Sequence, residues 1–343
     1  MGDPKVVTSC TSSFMEARVS ITQYQPTGRP IEDRYSLLED EGHRRLIMGV
    51  YDGHGGAATA HYISTELPER LLNHAGSHSE VFEELDRSLI DTFVKDHLVM
   101  RGKGKDWVQN AERIKAGCTA LVCDIRMDSM KALISNAGDC RLIVCRRVEP
   151  GGRVTVPFQT VDRNAKSPSE QDRLRSDHPN EDMIIVGGRL FGKLMSTRAS
   201  PLSSGFGDGY YKLPIGGIFG KRTHKRYIDI LSSIEQPGKV PMNVQYESYF
   251  CGYRTPPYVT ARPETTSFDL LPGDTLVMAS DGLWDLVSSD DVASIAIDTS
   301  SADPSGSLAF AILQEAKARR LPGDDVTIMV VELPKTCSSR GTQ

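Results

Sequence analysis

Four short stretches set an aspartate beside a glycine at the end or start of an apolar run. They are Tyr51-Asp52-Gly53-His54-Gly55-Gly56, Asn136-Ala137-Gly138-Asp139, Ala279-Ser280-Asp281-Gly282-Leu283-Trp284-Asp285, and Pro322-Gly323-Asp324-Asp325 ahead of TIMVV. Glu32-Asp33 adds a further acidic pair near the start. An aspartate at a strand tip holds its carboxylate rigidly, and a neighbouring glycine lets backbone and solvent come close. Several such groups brought together repel one another unless a cation lies between them. Hard oxygen donors, with no Cys-x-x-Cys pair and few histidines, select Mg²⁺ or Mn²⁺ over zinc. Two such ions about 3.5–4 Å apart suit phosphoryl transfer to water, because they lower the pKa of a bridging water and neutralise phosphate charge. Taken one at a time the pieces are weak, since Asp-Gly pairs mostly make turns or cap helices. Asp285 could merely favour a helix N-terminus, and Asp274, in LLPGDT, reads as a turn residue. Together they point to a metal-dependent site with phosphate chemistry.

The elements that must position these groups are visible as periodicity. Arg45–Tyr51 (RLIMGVY), Gly117–Ile125, Lys131–Arg146, Thr275–Ser280 and Thr327–Leu333 read as strands, the second and third consecutive and turning near Met127–Met130. Ala60, Ile63, Leu67 and Leu71 mark one face of a helix, with His61 on its surface and without a role. Ser77 and Glu80 form a capping box ahead of the stripe Phe82, Leu85, Leu89 and Phe93. Ser167–Arg175 is a short helix, and Leu308, Ile312 and Ala316 line another. Strands and helices come in runs and not in strict βαβ alternation, which favours α+β over a doubly wound sheet. Residues 1 to about 15 and 337–343 read as loose polar tails. Residues 200–257, rich in Gly, Pro and Tyr, read as an irregular functional loop carrying the basic cluster Lys221-Arg222-Thr223-His224-Lys225-Arg226. That cluster is open to three readings: a solvated surface, capture of an acidic or phosphorylated substrate, or a nuclear import signal.

Composition narrows the class. The chain has 343 residues with 45 acidic against 40 basic side chains, net −5, which argues against a general nucleic-acid partner. No apolar run approaches the roughly 20 residues of a membrane span. The N-terminus lacks a secretory core, and Val6 occupies the position where myristoylation wants Ser or Thr. Seven cysteines form an odd set, and four of them sit in apolar runs, as expected of buried reduced thiols.

At the acidic motifs the chain resembles the metal-dependent serine/threonine protein phosphatases of type 2C. The resemblance covers roughly residues 26–335 through IEDR (31–34), GVYDGHGG (49–56), GCTA (117–120), SNAGDCR (135–141), SEQDRL (169–174), MASDGLWD (278–285) and GDDVTIMVV (323–331), in that order. RNAKSPSEQDRLRSDHP (163–179), GRLFGKLMSTRA (188–199) and YRTPPYVTARPETT (253–266) look closest to the pyruvate-dehydrogenase-phosphatase-like branch. The resemblance implies an α+β, four-layer α-β-β-α sandwich: two central antiparallel sheets flanked by helix pairs, with metals at one end. It implies a tail and lead-in strand over 1–25, a single phosphatase domain over 26–336 with a flap insertion at about 200–257, and a tail over 337–343.

By the same resemblance Asp52 bridges two Mn²⁺ or Mg²⁺ ions, the Gly53 carbonyl ligates one, and Asp281 and Asp324 ligate the other. Glu32 and Asp33 hold metal-bound waters, and Asp139 and Asp285 match the positions that hold a weaker third metal. His54 matches the general acid that protonates the departing Ser or Thr oxygen. Metal-activated water then attacks phosphorus directly in phosphoserine and phosphothreonine proteins, and the cysteines are bystanders. Two departures stand out. Many members place a phosphate-binding Arg four residues before the Glu of the first acidic pair, where this chain has Gly28, with Arg29 next to it. The usual Arg-Ala-aromatic-Gly-Asp run is split, Arg198-Ala199 being separated from Phe206-Gly207-Asp208 by SPLSSG. A phosphoprotein-binding pseudophosphatase is the alternative, and a phosphodiesterase or nuclease a more distant one. A monomer is the family default. The branch likeness points towards mitochondria, the basic cluster towards a nucleus and the lack of a recognised signal towards cytoplasm, and the compartment stays open.

Overall fold

Strands whose two faces are both buried carry unbroken apolar runs, and here these runs build the centre of the molecule. The computed structural model describes residues 5–97, 105–149, 152–191, 204–215, 220–234, 253–302 and 306–335. In chain order come β1 (Lys5–Phe14), β2 (Ala17–Gln25), β3 (Arg34–Asp40), β4 (Arg45–Tyr51), β5 (Gly53–His54), α1 (Ala58–Asn73), α2 (His78–His97) and α3 (Trp107–Lys115). Next are β6 (Gly117–Cys118), β7 (Ala120–Arg126), β8 (Lys131–Ala137), β9 (Arg141–Arg147), β10 (Val154–Gln159), α4 (Pro168–Asp177), β11 (Ile185–Val186) and β12 (Arg189–Leu190). The rest are β13 (Phe206–Gly207), α5 (Gly209–Lys212), α6 (Gly220–Ser233), β14 (Glu264–Asp269), β15 (Thr275–Ala279), α7 (Asp281–Trp284), α8 (Ser289–Ala302), α9 (Leu308–Arg319) and β16 (Val326–Glu332).

Two antiparallel sheets dominate, one ordered β1-β2-β16-β15-β9-β10 and the other β14-β8-β7-β4-β3. The pleat sends alternate residues to opposite faces. Leu46, Met48 and Val50 meet Leu142, Val144, Met278 and Met329 between the sheets. Ile47 and Val122 face outward onto α1, α2 and α3 through Ile63, Leu67, Phe82, Leu85 and Ile114. Ile143, Val277 and Ile328 face the other way onto α8 and α9 through Val292, Ala296, Leu308 and Ile312. Three stacked cores therefore separate four layers, the expected α-β-β-α sandwich. Among the described residues no helix is long and apolar enough to cross a membrane.

Two local expectations are overturned. Most of the N-terminal stretch read as a loose tail is β1, paired with β2 from Lys5↔Gln25 to Phe14↔Ala17. Its turn residues Met15 and Glu16 both have positive φ (47 and 70), as in a two-residue hairpin turn of the kind that follows strand twist. The strand is exposed, so its Ser and Thr residues give no hydrophobic signal. The stretch read as an irregular loop over 200–257 contains α6, and the backbone of the basic cluster is helical. Tyr227, Ile228, Leu231 and Ile234 pack against α3 and its neighbours, an apolar stripe masked in sequence by the cluster before it. Residues 235–252 lie outside the described residues, as do Arg198-Ala199, Cys251 and Cys337.

Candidate active site

Register alone brings the acidic motifs to one end of the sandwich. Arg34 pairs with Tyr51, so the start of β3 and the end of β4 coincide. Ala120 pairs with Ala137, and β4 pairs with β7, which adds the turn after β8. In the facing sheet Ala279 lies between Arg141 and Ile328, and Val326 pairs with Tyr24. Glu32-Asp33, Asp52, Asp139, Asp281 and Asp324 thus leave their strands in the same direction.

Close contacts then fix each group. The Thr119 N–H donates to the Asp52 carbonyl at 2.9 Å, and the Asp52 N–H donates to Thr119 Oγ1 at 3.3 Å. Gly53 then pairs with Cys118 and His54 with Gly117. A Cβ on Gly53 would lie 2.3 Å from the Glu32 carbonyl oxygen, so only glycine lets the first acidic loop rest on β5. Gly138 has φ +129, and a Cβ there would lie 2.4 Å from Thr119 Cβ. Asp139, buried, accepts from Asn164 Nδ2 at 3.1 Å. Asp281 opens α7, whereas Asp285 is its exposed C-cap and not a helix N-terminal residue. Asp324 is exposed and accepts from the Asp325 N–H at 2.9 Å.

Their electrostatics record the crowding. The Asp52 carboxyl is pushed well above the usual carboxylate range, first by burial and then by the charges of Asp281, Asp33, Asp139 and Asp324. Asp281 is raised likewise by burial, then by Asp139, Asp324 and Asp285. Asp33, almost wholly buried, is pushed up to about 7 by burial and by Asp325, against hydroxyl bonds from Ser280 and Thr327. Its Oδ2 atom is buried without a hydrogen-bond partner among the described residues. Among those residues no group of three or more His, Cys, Asp or Glu side chains is arranged, as the side chains stand, to hold a metal ion. The donor set fits hard divalent cations: mutually repelling carboxylates, an orphaned buried oxygen, and no thiolate. Cys118 and Cys140 lie close by, but burial holds both thiols well above their ordinary range, so they stay protonated.

His54 stands at the rim with Nε2 2.9 and 3.0 Å from the two oxygens of Asp208. Arg29 is exposed on the loop between β2 and β3. Sequence reasoning missed two contributors. Asp208 was visible only as the end of a split motif. Asp325 was overshadowed by its neighbour, yet its Oδ2 accepts the Glu32 N–H at 2.7 Å and its Oδ1 accepts from Gln25 Nε2. Burial pushes Asp325 up to about 6 despite that backbone bond, with Asp324 adding to the rise.

The four-layer sandwich with its acidic motifs at one end is the fold of a phosphatase family. The chain belongs to the protein phosphatase 2C family, whose model matches residues 19–321. It is 27% identical over 320 residues to mitochondrial pyruvate dehydrogenase (acetyl-transferring) phosphatase 1 of Saccharomyces cerevisiae, covering 83% of this chain and 52% of that protein. It is 27% identical over 329 residues to the human mitochondrial phosphatase 2 of the same name, covering 78% of this chain and 59% of that one. The chain thus spans between half and three-fifths of these relatives' lengths. The fold is also that of a phosphatase from a pathogenic strain of Toxoplasma gondii, with TM-score 0.62 at 15% identity over 98% of each chain.

Proposed function

We propose that this chain is a Mn²⁺- or Mg²⁺-dependent protein serine/threonine phosphatase that hydrolyses phosphoserine and phosphothreonine directly. The observation that supports the reading is the strand register that brings Asp52, Asp139, Asp281 and Asp324 to one end of the sandwich with Glu32-Asp33, and the charge of one acidic group raises the next there. Divalent cations bound there supply water activation and neutralise the charge of the phosphate. Asp52, the Gly53 carbonyl, Asp281 and Asp324 are the groups that would hold the ions, with Asp52 the one most central to them. Glu32 and Asp33 would orient waters on the ions, and Asp139 and Asp285 would hold a weaker third one. His54 gives a proton to the leaving serine or threonine oxygen, a contribution of about 10²–10⁴-fold.

Arg29 is the cation we place on the substrate phosphate, and Arg29→Ala is expected to raise KM for a phosphopeptide with little change in kcat. Unchanged kinetics would remove it from the site. Phosphorylated pyruvate dehydrogenase belongs in the substrate panel because of the relatives' names. Gly28, at the position where many relatives have Arg, favours the second reading, a pseudophosphatase that binds phosphoprotein without turnover. One assay separates them: phosphate release from a phosphothreonine peptide with Mn²⁺, with Mg²⁺ and with EDTA, beside Asp281→Asn. Metal-dependent release that disappears in the variant supports the enzyme; no release from folded protein with either metal supports the pseudophosphatase.

A further inference from the structure

We propose that the outward face of α6, which carries Lys225 and Arg226, is a docking surface for an acidic segment of the phosphoprotein substrate. The inference deepens the phosphatase reading above and rests on it. α6 reads GKRTHKRYIDILSS, four Lys or Arg residues against one Asp. Lys225 and Arg226 are exposed, whereas His224, Tyr227, Ile228 and Leu231 are buried. Helical spacing sets Lys221 and Arg222 one turn before Lys225 and Arg226, so the backbone carries four basic positions over two consecutive turns.

This charge order works against the helix itself. Like charges at i and i+4 repel, and the first half of a helix is where the backbone dipole disfavours cations. α6 has no acidic residue in its first turn and no basic residue in its last, the reverse of the stabilising arrangement. Lys225 does have Asp229 at 3.7 Å, but both side chains are more than half exposed, and such a pair contributes little. The helix is held instead by its apolar stripe, with the Tyr227 ring 5.6 Å from that of Phe93 on α2. Its basic turns serve neither the packing nor the helix, which leaves attraction of the opposite charge as their use.

Position ties this face to the active site. Lys115 Nζ donates to the Ile234 carbonyl, just past the C-terminal end of α6. Lys115 leads into Gly117, where a Cβ would lie 2.3 Å from His54 Nε2. Nearer the other end, the His224 ring lies 4.8 Å from that of Tyr253, and Tyr253 Oη donates to the Leu213 carbonyl at 3.0 Å. Leu213 closes α5, whose N-cap Asp208 is left-handed (φ 54) and bonded to His54. α6 thus rests on the two segments that flank His54. A rise of 1.5 Å per residue puts Arg226 about 12 Å along the axis from Ile234, and an extended peptide spans about 3.4 Å per residue. Acidic residues about four to eight places from the phosphoresidue therefore reach the face.

The occupant follows from charge and tethering. The chain is net −5 and the proposed site is ringed by carboxylates, so an acidic substrate segment needs a local basic surface on which to settle. Being joined to the phosphoresidue, that segment arrives at a high effective concentration once the phosphate is engaged.

The test uses phosphothreonine peptides with an acidic cluster about four to eight places before or after the phosphoresidue, beside one with Gln at those places. On the parent chain kcat/KM should be higher for an acidic peptide, and the advantage should shrink in about 0.5 M NaCl. In the double variant Lys225→Glu/Arg226→Glu the advantage should fall about 5- to 10-fold through KM, with kcat and turnover of the Gln peptide little changed. Lys225→Gln/Arg226→Gln should lie between. Neither substitution should lower Tm, since each removes cations from the unfavourable half of the helix. Fluorescence anisotropy with the unphosphorylated acidic peptide should rank the three chains in the same order. Equal kcat/KM for acidic and Gln peptides, or an advantage untouched by the substitutions, would overturn the proposal and leave the cluster a solvated surface. Tighter binding of a single-stranded oligonucleotide than of the acidic peptide would overturn it too. If the parent chain hydrolyses no phosphopeptide, the phosphatase reading fails instead, and the anisotropy still decides whether α6 takes an acidic segment.

Discussion

Asp325 and Glu32, 293 residues apart, are joined by a 2.7 Å hydrogen bond from the Glu32 N–H to Asp325 Oδ2. The bond fastens the first acidic loop to the last acidic turn, and Gln25 Nε2 secures the other carboxylate oxygen. Asp325 touches the loop that carries Glu32 and Asp33 and so sets where those carboxylates stand. Removing such a support around a metal site typically costs 10–100-fold in metal affinity or activity. Asp325→Ala is therefore expected to shift the Mn²⁺ activation curve to higher concentration by about 10-fold or more. An unshifted curve would mean that the loop holds its shape without this bond.

Two raised carboxyls set a pH dependence in the metal-free chain. Asp33, pushed up to about 7, and Asp325, pushed up to about 6, keep protons in the folded state. In the unfolded chain both would release them near pH 3.9. Between about pH 4 and 7 the folded state thus binds more protons, so stability falls as pH rises through that window. A divalent cation relieves the same repulsion, so its stabilising effect should be larger at pH 7.5 than at pH 5. Calorimetric scans with Mg²⁺ and with EDTA check this; a Tm in EDTA that climbs over the window would contradict it, provided Asp33→Asn removes no part of the climb.

Asp274 is fully buried and takes a bidentate pair of 2.7 Å bonds from Arg146. It does sit in a turn, accepting from the Leu271 N–H at 2.8 Å, but the ion pair across to β9 is the larger part of its role. Fully buried pairs cost about 3–5 kcal/mol to break; Arg146 can turn to solvent, so Asp274→Ala should cost about 2–3 kcal/mol. Urea unfolding measures the loss, and turnover per folded molecule should be unchanged because Asp274 is at the far end of β15 from Asp281. A fall in that turnover would tie Asp274 to the site.

What the sequence made legible follows from burial. RLIMGVY, ALVCDI and TLVMA announced themselves because both faces of each strand are covered. The helix stripes Ile63/Leu67/Leu71 and Phe82/Leu85/Leu89 were equally plain, since each packs on one sheet face. The Ser77–Glu80 capping box forms as read, with the Ser77 N–H donating to Glu80 Oε2 at 2.7 Å and the Glu80 N–H donating to Ser77 Oγ at 3.3 Å. β1 was hidden because its stability comes from ladder bonds and not from apolar side chains. The acidic motifs were legible as local strings, whereas the His54–Asp208 and Glu32–Asp325 bonds were not. Both depend on distant segments meeting at one end of the sandwich, and one of them needs a left-handed aspartate that no local pattern announces.

As a phosphatase of the proposed kind, the chain would bind divalent cations at its acidic end and would need Asp52 to do so. A calorimetric titration of Mn²⁺ into the chain, paired with Asp52→Asn and read beside phosphothreonine turnover, decides the matter. Two ions are expected to bind per chain, both to leave the tight phase in Asp52→Asn, and turnover to be lost in step. Undiminished Mn²⁺ binding in Asp52→Asn, or turnover of the parent chain in EDTA, would contradict it.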